Sequence, residues 1–304
     1  VLSLGDKLYD YVIGTDCLEC EKYPEEELRM LLSLLKPKGR LLLLCDNRYG
    51  LQYFCGRGEK YTGIPYAGIN GYYRDTPVEG MMPVADGHMF SKNRLKQIIK
   101  AAGDVPCKFY YPVPDAGMPQ MIFTDHWNNS VNVMERMVDY HYSHRELQGI
   151  EHRIMKDVIE EGALPFLSNS FFIELSPDGS FMDMEYGVVT TDRGKEYGMV
   201  TSVREDGSVY KRPLWDAGEK QLRFLVNGIK ELEQAGVSIL HGSLMEDESG
   251  CYMKLPYVEG ENLSVTLNRL VSSDKDRFYE IMDEIYQAVQ RSYRPGKDGK
   301  GRVF

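Results

Sequence analysis

The sequence predicts an α/β domain built on an open, largely parallel sheet, followed by a smaller α+β domain. Three observations predict it. A strand–helix–strand unit occupies residues 9–45, its second strand is a continuous apolar run, and strand-and-hairpin signals replace that texture from Asn169 onward. At 304 residues the chain has room for two domains of about 150 residues each. Its 42% hydrophobic and 27% charged residues are ordinary for packed globular domains.

The first strand reads Tyr9-Asp10-Tyr11-Val12-Ile13-Gly14 and empties into a loop, Thr15-Asp16-Cys17. Pro24 followed by Glu25, Glu26 and Glu27 marks a helix start, because proline suits the first helical position and acids there complement the dipole. Leu28, Leu31, Leu32 and Leu35 give one apolar stripe, and Lys36-Pro37-Lys38-Gly39 stops the helix. Arg40-Leu41-Leu42-Leu43-Leu44-Cys45 then predicts a strand covered on both faces, as parallel strands are. Ser91 caps a second helix bearing Leu95, Ile98, Ile99 and Ala102, closed by Gly103. Cys107 to Tyr111 and Gln120 to Thr124 form two short strands joined through Pro112-Val113-Pro114-Asp115, a hairpin with an antiparallel edge strand.

Residues 125–165 are more polar and read as amphipathic helical stretches. Phe171 to Leu175 is a further strand, and Met199 to Arg204 and Val209 to Arg212 flank Asp206-Gly207, a strong hairpin signal. Asp216 with Glu219 has the spacing of a capping box, opening a helix with Leu222, Leu225, Val226, Ile229 and Leu232 inward and Gly236 at its end. A hairpin of Ser238 to Leu240 with Cys251 to Leu255 follows, then Pro256-Tyr257-Val258-Glu259-Gly260.

Composition excludes several function classes. Lysine and arginine number 36 against 46 aspartates and glutamates, a net charge of −10, which disfavours nucleic-acid or anionic-membrane partners. The longest apolar run, Leu41 to Cys45, is far short of the about 20 residues a membrane span needs. No basic patch followed by an apolar stretch opens the chain, so no signal peptide is visible. Six cysteines are too few for a disulfide framework and fit a reducing cytoplasm. Cys17-Leu18-Glu19-Cys20 lacks the second cysteine pair or thioredoxin-like context that zinc or redox chemistry needs, so a structural role is expected. The chain opens at Val1, enters a strand almost at once and ends just after a helix, which reads as an internal piece of a longer protein.

Open α/β sheets bind ligands at the carboxyl ends of their strands, which favours Gly14 to Cys17 and Asp46 to Arg48. Gly14 permits close backbone approach, and Thr15 and Asp16 offer polar groups; a turn plus helix cap is the other reading. Asn47 and Arg48 suit a sugar hydroxyl or a phosphate, unless Asn47 only binds backbone in a turn. The loop from Tyr49 to Tyr73, rich in glycine and carrying Tyr49, Tyr53, Phe54, Tyr61 and Tyr66, reads as a lid or acceptor site, or as a packed Ω-loop. His88 and Asp86 are the local candidates for a general base, though spacing ties neither to the pocket, and no catalytic residue is assigned. His141 and His144 stand at i, i+3 with His152 beyond; no acid completes a ligand set, so solvated helix histidines and no metal are expected.

These residues in this order resemble the carboxyl-terminal half of class I S-adenosylmethionine-dependent methyltransferases. The family's (F/Y)-D-x-(I/V) strand stands here as Tyr9-Asp10-Tyr11-Val12, and its L-K-P-x-G-x-L segment as Leu35-Lys36-Pro37-Lys38-Gly39-Arg40-Leu41. A bacterial subgroup associated with cell-surface polysaccharide carries (D/E)-N-R-x-G-L-x-Y followed by T-G. Here these are Asp46-Asn47-Arg48-Tyr49-Gly50-Leu51-Gln52-Tyr53 and Thr62-Gly63. The resemblance, over residues 5–130, implies an incomplete Rossmann-like methyltransferase sheet with S-adenosylmethionine as cofactor. Gly14, Thr15 and Asp16 would form the far wall of the cofactor pocket. Asn47, Arg48, Tyr49 and Tyr53 would face a small-molecule, saccharide or glycan-precursor acceptor. The family's glycine-rich loop is the departure: no G-x-G-x-G or G-x-G-x-x-G occurs in the chain, so half the pocket is missing and weak or no activity is expected of the chain alone.

Over residues 166–270 the order of sheet, helix and hairpin resembles the amino-terminal lobe of a kinase-like fold of the aminoglycoside or choline kinase type. Pro256 to Leu263 stands as the hinge, Lys211 as the strand lysine that pairs nucleotide phosphates, and Glu231 as its helix partner; Lys211 is otherwise a solvated strand lysine. No catalytic aspartate or D-F-G-like segment follows before Phe304, so the catalytic lobe is absent. The expected organisation is residues 1–130 as the methyltransferase part, 131–165 as a helical linker and 166–304 as an α+β kinase-N-lobe-like domain. The functional expectation is a cytoplasmic methyltransferase fragment without nucleic-acid partner or membrane insertion. The alternatives are an ATP-binding phosphotransferase fragment and a noncatalytic scaffold in surface-glycan assembly.

Overall fold

The computed structural model describes residues 7–73, 87–127, 133–137, 150–190, 194–234, 236–237, 239–292, 294–295 and 301–302. The chain divides into two compact units, Val1–Gly187 and Val188–Phe304.

In the first unit β1 (Tyr9–Thr15) runs parallel to β2 (Leu35–Asp46), with Val12 opposite Leu41 and Thr15 opposite Leu44. They are joined by α1 (Pro24–Ser33), which has Pro24 in its first turn beside Glu25, Glu26 and Glu27. The helix stops before the last leucine of its stripe, and Leu35 already belongs to β2. Lys36-Pro37-Lys38-Gly39, expected as a connection, is absorbed into that strand as an irregularity, with Tyr9 opposite Leu35 but Tyr11 opposite Arg40. Proline has no N–H for the ladder, so the strand departs from regular pairing there. Beyond Arg40 burial alternates: Leu41, Leu43 and Cys45 are buried, Leu42 and Leu44 half-buried. The run expected to be covered on both faces is fully covered on one.

The chain continues through a short α2 (Leu51–Phe54) and α3 (Lys92–Ala102). Ser91 Oγ caps α3 by accepting from Arg94 N–H, and Leu95, Ile98, Ile99 and Ala102 are buried, as their spacing predicts. β3 (Cys107–Val113) and β4 (Met121–Phe123) form the expected antiparallel hairpin, with Tyr111 opposite Phe123. After α4 (Val133–Arg136), α5 (Glu151–Glu160) and α6 (Leu164–Leu167) comes β5 (Ser170–Leu175). This strand lies between β2 and β3 and antiparallel to both, Ile173 facing Leu43 on one side and Phe109 on the other. The order is β1-β2-β5-β3-β4, so β1, β2 and β3 point one way and β5 the other.

Phe171–Leu175, expected in the second domain from residue 166, instead completes the first unit, which extends to Gly187. Hydrophobic patterning identifies a strand but not its neighbours. Glu174 on β5 is fully buried, and its carboxylate accepts from Arg40 at 2.7 Å, Tyr110 Oη at 2.7 Å and Met182 N–H at 3.0 Å. These partners offset the desolvation cost of a charge buried mid-sheet.

β6 (Tyr186–Thr190) carries the chain over the division. In the second unit β7 (Met199–Val203) and β8 (Ser208–Pro213) form the hairpin read from Asp206-Gly207. Gly207 has φ 75°, and Asp206 Oδ1 accepts from Ser208 N–H at 2.8 Å. α7 (Asp216–Gln234) packs Leu222, Val226 and Ile229 against Cys251, Met253 and Leu255. Its first turn hangs on the Trp215 carbonyl, and Glu219 pairs with Arg223 at 2.7 Å instead of closing a capping box. β9 (Ser243–Asp247) and β10 (Gly250–Pro256) are antiparallel. The partner of Cys251–Leu255 is therefore Ser243–Asp247, not the Ser238–Leu240 stretch expected; a two-residue turn between Asp247 and Gly250 closes that hairpin directly. Two helices follow, α8 (Leu263–Ser273), capped by Asn262, and α9 (Lys275–Ser292). No helix among the described residues is long and apolar enough to cross a membrane.

Candidate functional site

The carboxyl ends of β1 and β2 open into a cleft of about 670 Å³ in the first unit. Thr15 lines it from the end of β1, Asp16 from the turn that follows, Asp46 from β2, Tyr53 from α2, Lys60 from the glycine-rich loop and Asp115 from the turn after β3. Parallel pairing continues past the strand end, because Asp16 N–H donates to the Leu44 carbonyl at 3.1 Å. Asp16 adopts φ 52°, a left-handed turn that a short polar side chain tolerates.

The electrostatic centre of the cleft is Lys60. Its ammonium donates to Asp16 Oδ1 at 2.7 Å and Asp46 Oδ2 at 3.0 Å, tying the ends of the two strands together. Burial pulls the Lys60 pKa down, but the hydrogen bonds and charges of Asp16 and Asp46 more than reverse this and hold it above the usual lysine value. Burial raises Asp46 above the ordinary carboxylate value even against the pull of Lys60. Tyr53 is buried, and desolvation raises its phenol above the ordinary tyrosine value. Glu59, also buried, organises the loop: its carboxylate accepts from Tyr61 N–H at 3.0 Å, Thr62 N–H at 2.7 Å and Tyr72 Oη at 3.0 Å.

The predicted residues separate into two groups. Thr15, Asp16 and Tyr53 meet in the cleft. Gly14 does not line it; a Cβ there would come within 2.7 Å of Cys17 Sγ and 2.9 Å of Leu43, so its smallness serves packing. Asn47 is buried with its amide spent on backbone, donating to Phe166 O at 2.8 Å and Ser168 O at 2.7 Å and accepting from Tyr49 N–H at 3.1 Å. Arg48 and His88 line a second, smaller cavity. Tyr49 stacks on Phe166 with ring centroids 5.1 Å apart. Asp86, His141 and His144 lie outside the described residues, and no metal-ligating cluster occurs among the described ones. Cys17 is a free thiol pushed up to about 11, chiefly by burial, which suits it poorly to redox chemistry.

In the second unit Lys211 lines a cavity of about 250 Å³ with Thr190, Tyr197 and Gln221. Glu231, its expected partner, is exposed on α7 and does not line that cavity. Lys60 and Asp115, central to the first cleft, escaped sequence reading. Each sits in a loop without periodicity, and only the Glu59-Lys60 charge pair inside a glycine-rich stretch offered a signal.

No protein-family model and no curated protein matches the sequence. Solved structures similar over part of the chain include two. One is a chain of the complex between the Haloferax volcanii Trm112 methyltransferase activator and a protein designated a methyltransferase, at 11% identity and TM-score 0.30, over 58% of this chain and 57% of that one. The other is a SAM-dependent methyltransferase from Archaeoglobus fulgidus, at 18% identity and TM-score 0.26, over 57% of this chain and 62% of that one. The chain thus spans less than two thirds of the length of either.

Proposed function

We propose that this chain is part of an S-adenosylmethionine-dependent methyltransferase, its first unit supplying one wall of the cofactor pocket and the acceptor side of the cleft. The observation that carries this reading is a cleft at the carboxyl ends of parallel β1 and β2, in a sheet closed by a reversed strand. Open α/β sheets hold their ligands outside the carboxyl ends of their strands, which is where this cleft lies. Among the described residues β1 pairs only with β2, which leaves its other backbone edge open to further parallel strands.

The fit of the cofactor is partial. The cleft has a volume typical of small-molecule sites, and Asp16, Asp46 and Asp115 give it an anionic lining suited to a sulfonium cation. The glycine-rich loop that would cradle the rest is not in the chain. When bound, S-adenosylmethionine would supply an activated methyl group, leaving the protein mainly to align the acceptor. Thr15 and Asp16 would orient the cofactor, while Lys60 keeps the two strand ends in register. Asp46, made more basic by burial, would take the proton released by an acceptor hydroxyl. A saccharide or glycan-precursor acceptor rests on the Asp46–Tyr53 motif.

The test is titration with S-adenosylhomocysteine, by calorimetry, of the protein expressed from its full reading frame, alongside methyl transfer from labelled S-adenosylmethionine. Asp16→Asn is expected to weaken binding about tenfold, the loss of one charged hydrogen bond. Equal binding by the variant, or no binding by the parent, overturns the reading. A second reading, nucleotide binding by a kinase-like lobe in the second unit, draws on Lys211 facing a cavity. ATP binding that Lys211→Ala abolishes, without S-adenosylhomocysteine binding, would favour it.

A further inference from the structure

The first unit holds a second cavity, of about 360 Å³, lined by Arg48, Tyr72, His88, Phe90, Ser91 and Arg94 among others. The chain carries a net charge of −10, yet no aspartate or glutamate among the described residues lines this cavity. The contrast with the neighbouring set of aspartates in the first cleft is one of sign.

Arg48 is half-buried and its head is fixed: Nε donates to the Gly68 carbonyl at 2.5 Å and Nη2 to the Ile69 carbonyl at 3.2 Å. Among the described residues the Arg94 guanidinium reaches only Gln97, at 3.4 Å. Neither arginine has a carboxylate partner among the described residues. A half-buried guanidinium held in place by neutral carbonyls keeps a charge that a ligand's negative charge would offset. Ser91 Oγ spends a lone pair on Arg94 N–H, which leaves its own proton to donate. Tyr72 and Phe90 add aromatic wall.

We propose that this cavity binds the phosphate group of a small phosphorylated ligand. Two arginine forks match the charge and the planar hydrogen-bonding of a phosphate dianion better than those of a single carboxylate. The volume sits at the lower end for small-molecule sites, enough for a phosphate with a compact polar body attached. The assignment stands on charge and geometry and does not depend on methyl transfer.

The test titrates inorganic phosphate into the full chain at pH 7.5 and low salt, by calorimetry, with acetate as competitor. Arg94 is exposed, so Arg94→Gln leaves the fold intact; Arg48→Gln is the companion variant, and Arg29→Gln, which alters an exposed arginine bonded to the Ala101 carbonyl, is the charge control. Saturable phosphate binding, at least tenfold weaker in both cavity variants and unchanged in Arg29→Gln, is expected. Wild-type binding by Arg94→Gln overturns the proposal, as does equal weakening in Arg29→Gln or displacement of phosphate by equimolar acetate.

Discussion

Glu19 offers the sharpest test of how the first unit is held together. Its side chain is fully buried, and neither carboxylate oxygen has a hydrogen-bond partner among the described residues. The charged and titratable groups that act on it or feel it are Asp16, Cys17, Cys45, Asp46, Lys60 and Tyr61. Burial is the main cause that pushes Glu19 up from 4.5 to about 7, opposed by its own nearby backbone N–H and by Lys60 and reinforced by Asp16 and Asp46. Folding therefore favours the protonated form. That contribution is complete below pH 4.5, shrinks as the unfolded chain alone loses its proton, and is gone once pH passes about 7. A shift of this size, at about 1.4 kcal/mol per unit, corresponds to about 3 kcal/mol between pH 4.5 and 8.

Glu19→Gln removes the titration while keeping shape. The variant should match the parent within about 1 kcal/mol at pH 5 and exceed it by about 3 kcal/mol at pH 8. Urea denaturation at pH 5, 6, 7 and 8 reads this through Trp127, which stacks on Tyr186 with centroids 5.0 Å apart in the first unit. The chain has only two tryptophans, so placing both proteins in a Trp215→Phe background isolates that signal. Stability curves that run parallel across this pH range would refute the placement of a dry, unpaired carboxylate at Glu19.

Three further outcomes follow from contacts already described. Arg40→Ala should cost about 3 kcal/mol in the same denaturation assay, because it strips the cation from fully buried Glu174; a loss under about 1 kcal/mol would mean Tyr110 and Met182 suffice. Gly14→Ala should cost about 1–3 kcal/mol, since its new methyl would meet Cys17 Sγ and Leu43 below normal contact distance, and a neutral result would show that the end of β1 yields easily. Lys60→Met should raise the Asp46 titration further, read by carboxyl carbon NMR. It removes the charge that opposes desolvation there, so an unmoved titration would place Lys60 away from Asp46 in solution.

Much of the architecture was legible in one dimension because its causes are local. Pro24 with three glutamates starts α1, Ser91 caps α3 with its apolar stripe inward, and Asp206-Gly207 turns the β7–β8 hairpin. Each feature depends on residues a few positions apart, where spacing and backbone preference suffice. The leucine run of β2 likewise announces a strand paired on both sides within the sheet.

Other features depend on contacts between distant segments, which no short window contains. Phe171–Leu175 reads as a strand, but its place between β2 and β3 depends on pairing across more than a hundred residues on the β2 side. Asn47 reads equally well as a ligand contact or a brace; the carbonyls of Phe166 and Ser168 make it a brace. Lys60 sits in a loop with no periodicity, and becomes the centre of the cleft only when the ends of β1 and β2 bring Asp16 and Asp46 to it. Glu19 lies in what reads as an ordinary Cys-x-x-Cys turn, and only packing removes it from water. The sequence by itself thus determined most of the elements of the sheet, the starts of α1 and α3, and the excess of acid. The tertiary structure decided which strand closes the sheet, which charges meet and which carboxylate is left dry, because burial and Coulomb energy depend on distances in space.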